Sequence, residues 1–131
     1  MLAKDLQVEE HITFYGALAR FQLTQKLAAA KIKLMLSMHT ANGEFEGFGI
    51  AVLEANALGV PVIGSRDSGI ADAIVNRKTG ILVNPDDARE ITDAIEEIES
   101  DYAFYSANAK AWATRHDWIN IVERYIEVIE H

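Results

Sequence analysis

The sequence predicts an α/β domain built on a parallel sheet of about four strands flanked by helices, with a helical extension at the C-terminus. Two observations carry this prediction. Residues 32–38 form a nearly continuous apolar run, as strands covered on both faces do in parallel sheets. Residues 49–58 are apolar around almost the whole helical wheel, which is typical of a buried helix. Strands that alternate with helices in this way indicate βαβ units.

Four short segments are predicted to be strands. Residues 11–16 are rich in β-branched and aromatic residues and end in a glycine. After the apolar run at 32–38, residues 59–65 read as a glycine helix stop followed by a short buried strand. Residues 79–83 supply the last strand of the predicted sheet.

The remaining regular segments are predicted to be helices. Asp86-Asp87 is a helix-start signal, because an aspartate at the N-cap accepts hydrogen bonds from the first free backbone N–H groups. No strand follows Val83, so a helical extension is predicted that packs on the flank of the sheet or on a partner. The predicted helices cover residues 18–30, 49–58, 68–76, 87–99, 101–115 and 117–130.

Composition and charge restrict the class of protein. A chain of 131 residues without an internal repeat or a clear linker is about one domain. Its formal net charge of −8 argues against nucleic acid and against an anionic membrane surface as partners. There is no cysteine, no apolar run long enough to span a bilayer and no Asp-x-Asp metal motif. We therefore expect a cytoplasmic protein that needs no metal and no other cofactor.

Glu54 is the most informative single residue of the chain. It is the only ionisable residue in the predicted helix 49–58, and a helical wheel puts it on the most hydrophobic face, between Ile50 and Ala57. A buried carboxylate needs a partner or it loses its charge. No basic residue lies within one helical turn of Glu54. Its partner must therefore come from elsewhere in the fold or from a ligand.

A second carboxylate, Glu46, precedes the glycines Gly47 and Gly49 at the start of the same helix. Glycines let a ligand approach the backbone closely, and the free N–H groups and positive dipole end of a helix suit a phosphate or diphosphate. Ligands of open parallel sheets bind beyond the carboxyl ends of the strands. With Glu54 about 8 Å further along the helix, the pattern fits a nucleotide-sugar, with Glu46 on sugar hydroxyls and Glu54 on ribose hydroxyls.

Three motifs give the chain a resemblance to a known family. They are Glu46-Gly47-Phe48-Gly49 with Glu54-Ala55 after four more residues, then Gly59-Val60-Pro61-Val62-Ile63-Gly64-Ser65, then Thr79-Gly80-Ile81-Leu82-Val83. At these spacings the sequence resembles the donor-binding domain of the retaining glycosyltransferases of family 4, which have two Rossmann-like domains in the B-type fold. The resemblance covers nearly the whole chain and implies a Rossmann-like sheet that is truncated on its N-terminal side.

The resemblance also implies a function. The longer parent enzyme would transfer a sugar from a nucleoside-diphosphate sugar to an acceptor hydroxyl with retention of the anomeric configuration. Its rate would come chiefly from stabilising the departing diphosphate. By resemblance, the donor sugar and phosphates are held by Glu46, Gly47, Phe48, Gly49 and Ile50, the ribose is bound by Glu54, and the base is contacted by Gly16, Ala17 and Leu18.

The chain departs from the family pattern in several places. Where the family has Gly-Gly-x-Pro-Glu, this chain has Ser68-Gly69-Ile70-Ala71-Asp72. By the same resemblance, the acceptor domain, the first two donor-domain strands and the Arg and Lys that neutralise the diphosphate are absent. No Arg or Lys at 39–55 replaces them. No catalytic residue is identifiable in this chain, and we expect the chain alone to be inactive.

The absent strands predict an open sheet edge. In the family's sheet they would lie between the strands at 11–16 and 32–38, and without them the apolar 32–38 strand has a bare edge that invites pairing. Either residues 11–16 move over to pair with it, or another chain covers it. We expect a homo-oligomer that forms through this edge or through the C-terminal helix.

Other interpretations stay open from the sequence alone. Glu46 could simply favour a helix N-terminus, Glu54 could hydrogen-bond a backbone group of the core, and the glycines could be purely structural. For the whole chain, one alternative is a noncatalytic nucleotide-binding or self-assembly module of the same fold. Another is a doubly wound domain of a different kind, such as half of a sugar-nucleotide epimerase.

Overall fold

The structure is a computed structural model, and it describes residues 7–36 and 46–115, with the backbone alone for Glu9 and residues 46–48. This part of the chain contains three strands, four α-helices and two 3-10 helices. The strands are β1 (Lys33–Met35), β2 (Val62–Ser65) and β3 (Gly80–Val83). The helices are α1 (Arg20–Ala29), α2 (Glu46–Ala57), α3 (Ala88–Ser100) and α4 (Tyr102–Arg115), and the 3-10 helices are Glu9–His11 and Gly69–Ala73.

The three strands form one parallel sheet in the order β1-β2-β3. Leu34 of β1 lies opposite Ile63 of β2, and Ile63 lies opposite Ile81 of β3. All four residues of β2 are buried, as expected for a central strand with a neighbour on each side. The α/β class with a parallel sheet and flanking helices is therefore confirmed, with three strands in the described residues.

The sheet separates two hydrophobic cores. Successive side chains of a strand point to opposite faces, so Val62 and Ile63 contribute to different cores. The first core joins α2 to the 3-10 helix after β2, through the buried residues Val52, Ala55, Val60, Val62, Ile70 and Ile74. The second joins the other face of the sheet to α3 and α4, through Ile63, Ile81, Val83, Ala94, Ile98 and Tyr105.

The C-terminal end of α2 is fixed by a glycine, as the sequence predicts. Gly59 has φ +78°, in the left-handed region that favours glycine. Its N–H donates to the carbonyl of Asn56 at 2.9 Å, and the N–H of Val60 donates to the carbonyl of Ala55 at 2.9 Å. These two bonds are the Schellman arrangement, which turns the chain out of α2 and into β2.

The start of α3 also follows its sequence signal. Asp87 is the N-cap, and its Oδ1 accepts the backbone N–H groups of Arg89 at 3.0 Å and Glu90 at 3.2 Å. The following helix, α4, is anchored to the rest of the domain by two side-chain bonds. Ser106 Oγ donates to the carbonyl of Gly59, and Trp112 Nε1 donates to the carbonyl of Ala73.

Residues 11–16 are not a strand, so this prediction is wrong. His11 ends a 3-10 helix and residues 12–19 are irregular. Phe14 is 69% exposed and Tyr15 is 53% exposed. A β-rich composition favours a strand only where a pleated, half-covered surface is available to it. In the described residues no strand lies beside residues 11–16, so they have no ladder to join.

The other predictions differ in detail. The helix predicted at 68–76 is the shorter 3-10 helix Gly69–Ala73. The helix predicted at 117–130 lies outside the described residues. Among the residues that are described, no helix is both long enough and apolar enough to cross a membrane.

Gly80→Ala tests the close packing of β3 against β2. A Cβ on Gly80 would lie 1.8 Å from the carbonyl oxygen of Val62, so the two strands would have to separate. We expect a loss of at least about 3 kcal/mol in the free energy of unfolding, measured by urea denaturation.

The matched control is Gly49→Ala in α2. A Cβ on Gly49 meets nothing within 4 Å, and we expect this variant to gain about 0.5–1 kcal/mol because alanine favours a helix over glycine. A Gly80→Ala variant as stable as the wild type would contradict the strand packing described above.

Candidate functional site

The site is built around the N-terminal end and one flank of α2. This helix begins at Glu46, three residues before the predicted start at Gly49, so the glycine segment is its first turn and not a turn that precedes it. The first four N–H groups of any helix lack partners within the helix. α2 therefore offers free N–H groups and a positive dipole end at residues 46–49. A glycine in that turn has no side chain to block the approach of a ligand to the backbone.

The early start of α2 changes the spacing of the two glutamates. Glu54 is eight positions after Glu46, which corresponds to about 12 Å along the helix axis instead of the predicted 8 Å. The two positions are also rotated by about 80° around the axis, at 100° per residue. Glu46 is therefore the first residue of the helix. Glu54 lies about two turns further along, at a position on a neighbouring face.

Glu54 lies on a half-open flank of α2, not at the centre of the buried face. Val52 and Ala55 are fully buried, whereas the Glu54 side chain is 30% exposed. The helical wheel gives the direction of each residue but not which directions the rest of the fold covers. In the described residues the sheet ends at β1, and no further strand covers this flank.

The partner of Glu54 comes from α1. Nη2 of Arg20, the first residue of α1, lies 2.6 Å from Oε1 of Glu54. The Arg20 side chain is 77% exposed, so this pair is near the surface and is worth roughly 0.2–1 kcal/mol. The fold thus supplies a cation to Glu54 without a ligand, one of the two sources that the sequence left open.

Lys33 is the second cation near Glu54. It is a half-buried residue of β1, and burial lowers the pKa of its ammonium group while the nearby Glu54 carboxylate raises it to a lesser extent. Arg20 and Lys33 both come from outside residues 39–55, a stretch that contains no Arg or Lys. The fold therefore places positive charge beside Glu54 that the local sequence does not show.

A cavity of about 320 Å³ lies between α1, β1 and Glu54. We call it the α1–β1 cavity. Its walls are mainly apolar side chains of α1 and β1, and its polar groups are Thr24, Lys26, Lys33 and Glu54. The full lining is Leu23, Thr24, Lys26, Leu27, Ala30, Ile32, Lys33, Leu34 and Glu54.

The base-contact candidates lie in the segment that leads into α1. Gly16 has φ +65°, which suits glycine, and both it and Ala17 are exposed, while Leu18 is half-buried. Leu18 is two residues before Arg20, which contacts Glu54. The chain thus brings this segment toward the Glu54 flank, while residues 46–50 lie at the other end of the site, at the start of α2.

Sequence reasoning missed Arg20, Lys26 and Lys33. Arg20 and Glu54 are 34 positions apart, and no local pattern reports such a contact. One signal could have found these cations: residues 18–36 carry four basic and no acidic residues in a chain of net charge −8. In the part of the chain that the structure describes, no group of three or more His, Asp or Glu residues could hold a metal ion.

The family comparison decides how this geometry is to be interpreted. The family profile described as "Glycosyl transferases group 1" matches residues 1–122. The chain belongs to the group 1 glycosyltransferases.

Curated group 1 relatives are much longer than this chain. A GDP-mannose-dependent alpha-(1-6)-phosphatidylinositol monomannoside mannosyltransferase of Mycobacterium tuberculosis is 35% identical over 117 residues, which cover 86% of this chain and 30% of the relative. A D-inositol 3-phosphate glycosyltransferase of Corynebacterium urealyticum is 30% identical over 130 residues, which cover 97% of this chain and 29% of the relative. The chain thus spans about 30% of the length of these two relatives.

Solved structures support the fold of this glycosyltransferase chain. Anabaena HepE in complex with UDP and glucose matches with a TM-score of 0.74 and 24% identity, over 98% of this chain and 34% of HepE. Sucrose-phosphate synthase from Thermosynechococcus elongatus matches with a TM-score of 0.71 and 24% identity, over 98% of this chain and 33% of the synthase. At this identity the likeness shows a shared fold.

Lys33→Met tests the desolvated ammonium group at the site. The pKa of Lys33 is lower in the folded chain than in the unfolded chain. At pH values between these two pKa values, the unfolded chain binds more protons than the folded chain. The free energy of unfolding of the wild type therefore rises with pH over this range. Removal of the charge should therefore raise the free energy of unfolding at pH 7, with a smaller gain as the pH approaches 10.5.

Lys31→Met is the control for this substitution. Lys31 is a neighbouring lysine with a 60% exposed side chain, 3.9 Å from Glu99. Chemical denaturation from neutral to alkaline pH compares the two variants. If Lys33→Met is no more stable at pH 7 than Lys31→Met, the desolvation of Lys33 is contradicted.

Proposed function

We propose that the chain is part of the donor-binding domain of a retaining glycosyltransferase of family 4. The parent enzyme would move a sugar from a nucleoside-diphosphate sugar to an acceptor hydroxyl and retain the anomeric configuration. The observation that carries the proposal is α2. It joins free N–H groups at its first turn to an accessible carboxylate two turns further along, in a chain that belongs to a glycosyltransferase family.

Each part of the donor has a proposed place along α2. The diphosphate lies at the helix N-terminus, where the amides of Gly47, Phe48 and Gly49 face it. Ile50, also expected from the resemblance to hold the donor, is the fifth residue of α2, so its N–H lies beyond the four free ones. Glu46 accepts hydroxyls of the sugar, and Glu54 accepts hydroxyls of the ribose. The base lies toward Gly16, Ala17 and Leu18. A carboxylate has about four lone-pair sites, so Glu54 can accept a ribose hydroxyl while Arg20 stays on Oε1.

The proposed contribution to catalysis is electrostatic. When the glycosidic bond to the donor breaks, negative charge grows on the departing diphosphate, and fixed N–H dipoles aimed at it lower the barrier. Arg20 and Lys33 offset the negative charge that Glu54 brings near the nucleotide. No metal is required in this scheme. The cytoplasmic location expected from the sequence is part of the same proposal.

We propose further that these 131 residues bind a donor without turning it over. The resemblance places the acceptor side in a separate domain, and no catalytic residue is assigned here. Proteins similar to this chain include both a GDP-mannose-dependent mannosyltransferase and a structure in complex with UDP and glucose. The proposed ligand class is therefore a nucleoside-diphosphate sugar, with neither base preferred.

One alternative function keeps a specific observation in its favour. Because Arg20 pairs with Glu54 at 2.6 Å, the fold itself supplies a partner for the carboxylate. That favours a noncatalytic self-assembly module of the same fold. The epimerase alternative is set aside, because the family match covers residues 1–122.

Glu54→Gln tests the ribose contact. The substitution keeps the size of the side chain but replaces a charged acceptor, and a hydrogen bond to a charged group is worth about 1.5–3 kcal/mol. We expect the affinity for UDP, GDP or ADP, whichever binds, to fall by at least about tenfold, measured by calorimetry on the 131-residue chain.

Glu97→Gln is the matched control for Glu54→Gln. Glu97 Oε1 pairs with Arg77 Nη1 at 2.6 Å, the same distance as in the Arg20–Glu54 pair, but it lies on α3. It should leave the affinity unchanged. Equal affinities of the wild type and Glu54→Gln would contradict the ribose contact. No binding of any of the three nucleotides, together with tight self-association, would count for the self-assembly module.

Gly49→Ala tests whether this glycine serves the ligand or only the fold. The added methyl group enters open space at the first turn of α2, where the diphosphate is proposed to approach. We expect a variant that is more stable to urea yet binds the nucleoside diphosphate several-fold more weakly. Unchanged affinity in the stabilised variant would indicate a purely structural glycine.

A further inference from the structure

A second cavity lies at the opposite end of the sheet from the proposed donor site. The loop at residues 75–79 directly precedes Gly80, the first residue of β3, so it lies at the amino end of this strand. A cavity of about 220 Å³ opens between this loop and the C-terminal half of α4. We call it the α4 cavity. Its lining includes Val75, Lys78, Thr79, Asn108, Trp112 and Arg115.

The α4 cavity is remote from the side on which the resemblance places the absent strands. Those strands would lie beside β1, whereas the sheet order is β1-β2-β3 and the cavity adjoins the loop that leads into β3. Both of its walls belong to the described residues. Its shape therefore does not depend on the uncovered edge of β1.

One face of α4 forms a wall of this cavity. Its residues follow the spacing i, i+3, i+4 and i+7, which places them on the same side of a helix. Tyr105 and Ala109 are buried, so α4 contacts the core through an adjacent face. The four residues on the cavity face are Asn108, Ala111, Trp112 and Arg115.

Hydrogen bonds hold both walls in place. The carbonyl of Val75 accepts the N–H groups of Lys78 and Thr79, each at 3.0 Å, and the buried Thr79 Oγ1 accepts the N–H of Val75 at 2.9 Å. On the other side, Trp112 Nε1 donates to the carbonyl of Ala73 at 2.8 Å. A ligand would therefore meet a preformed cavity and would have little of the wall to order.

The charges of the described lining are all positive. Lys78 and Arg115 are exposed at the mouth, and no acidic residue lines the cavity with them. In the part of the chain that the structure describes, neither forms an ion pair, whereas the neighbouring Arg77 lies 2.6 Å from Glu97. Two cations without a carboxylate, in a chain of net charge −8, form a local site for an anion.

The size and chemistry of the cavity define the anion further. Its volume lies below the roughly 300 Å³ at which pockets for drug-sized ligands begin, so a whole nucleoside-diphosphate sugar is too large for it. Arginine presents a planar fork of donors that matches a phosphate, and lysine adds a point charge. Inward of these cations the walls include the half-buried Val75 and Trp112, which suit an apolar or flat organic group.

We propose that the α4 cavity is a second ligand site, which binds a small phosphate monoester. The phosphate lies at the mouth with Lys78 and Arg115, and two positive charges offset its charge of about −1.5 to −2 at pH 7. The organic group lies inward, against Val75 and Trp112. This site is separate from the α2 site and does not rest on the proposed donor binding.

Phenyl phosphate is the probe for this site, because it joins a phosphate monoester to an apolar ring. In heteronuclear NMR of the 131-residue chain it should shift the backbone amide signals of residues 75–79 and 108–115. Inorganic phosphate should shift the same signals with several-fold weaker affinity, because it lacks the ring. Phenol, which lacks the phosphate, should leave them unchanged.

Charge removal at the mouth tests the two cations. Lys78→Gln and Arg115→Gln should each weaken the binding of phenyl phosphate at least about fivefold, because each removes one charged donor. The matched control is Lys110→Gln, at an exposed lysine of α4 outside the described lining. It makes the same change in net charge and should leave the affinity unchanged. Lys78→Gln should also leave the affinity for UDP, GDP or ADP unchanged, which separates this site from the donor site.

Four results would each overturn the proposed site. The first is the absence of shifts at residues 75–79 and 108–115, or shifts confined to residues 46–50. The second is a phenol titration that shifts the cavity signals as phenyl phosphate does. The third is wild-type affinity in both Lys78→Gln and Arg115→Gln. The fourth is an equal loss in Lys110→Gln, which would reduce the effect to the overall charge of the chain.

Discussion

The burial of β2 is the constraint on which the rest of the described structure depends. This strand has a parallel neighbour on each side and a hydrophobic core on each face, and all four of its residues are buried. Gly80 allows the backbone of β3 to approach Val62 more closely than any side chain would permit. With β2 fixed in this way, α2 must run antiparallel to β1 and β2 and place its N-terminus beyond their carboxyl ends, where open parallel sheets bind ligands.

In the described residues β1 is the edge strand of the sheet, and this position bears on the surroundings of Glu54. Since no strand covers the far side of β1 in the described residues, the flank of α2 that carries Glu54 is half open. Arg20 and Lys33 then reach the carboxylate, and a ligand can reach it as well. In the part of the chain that the structure describes, Phe21, Leu23 and Leu34 are also exposed.

Local rules were enough to predict much of this fold from the sequence. The helix stop at Gly59 and the helix start at Asp87 are where the sequence places them, because each depends on hydrogen bonds between residues that are close in the chain. The strand predicted at 11–16 fails because a strand needs a neighbour that local composition cannot report. The partner of Glu54 could not be predicted, because Arg20 lies 34 positions away and reaches it only in the folded chain.

The central claim is that α2 holds a nucleoside diphosphate between its first turn and Glu54. Heteronuclear NMR of the 131-residue chain, titrated with UDP, GDP and ADP in turn, tests it most directly. The account predicts that at least one nucleotide shifts the backbone amide signals of residues 46–50 and of Glu54, and leaves those of α3 unchanged. Shifts confined to other elements, or no shift with any of the three nucleotides, would contradict it.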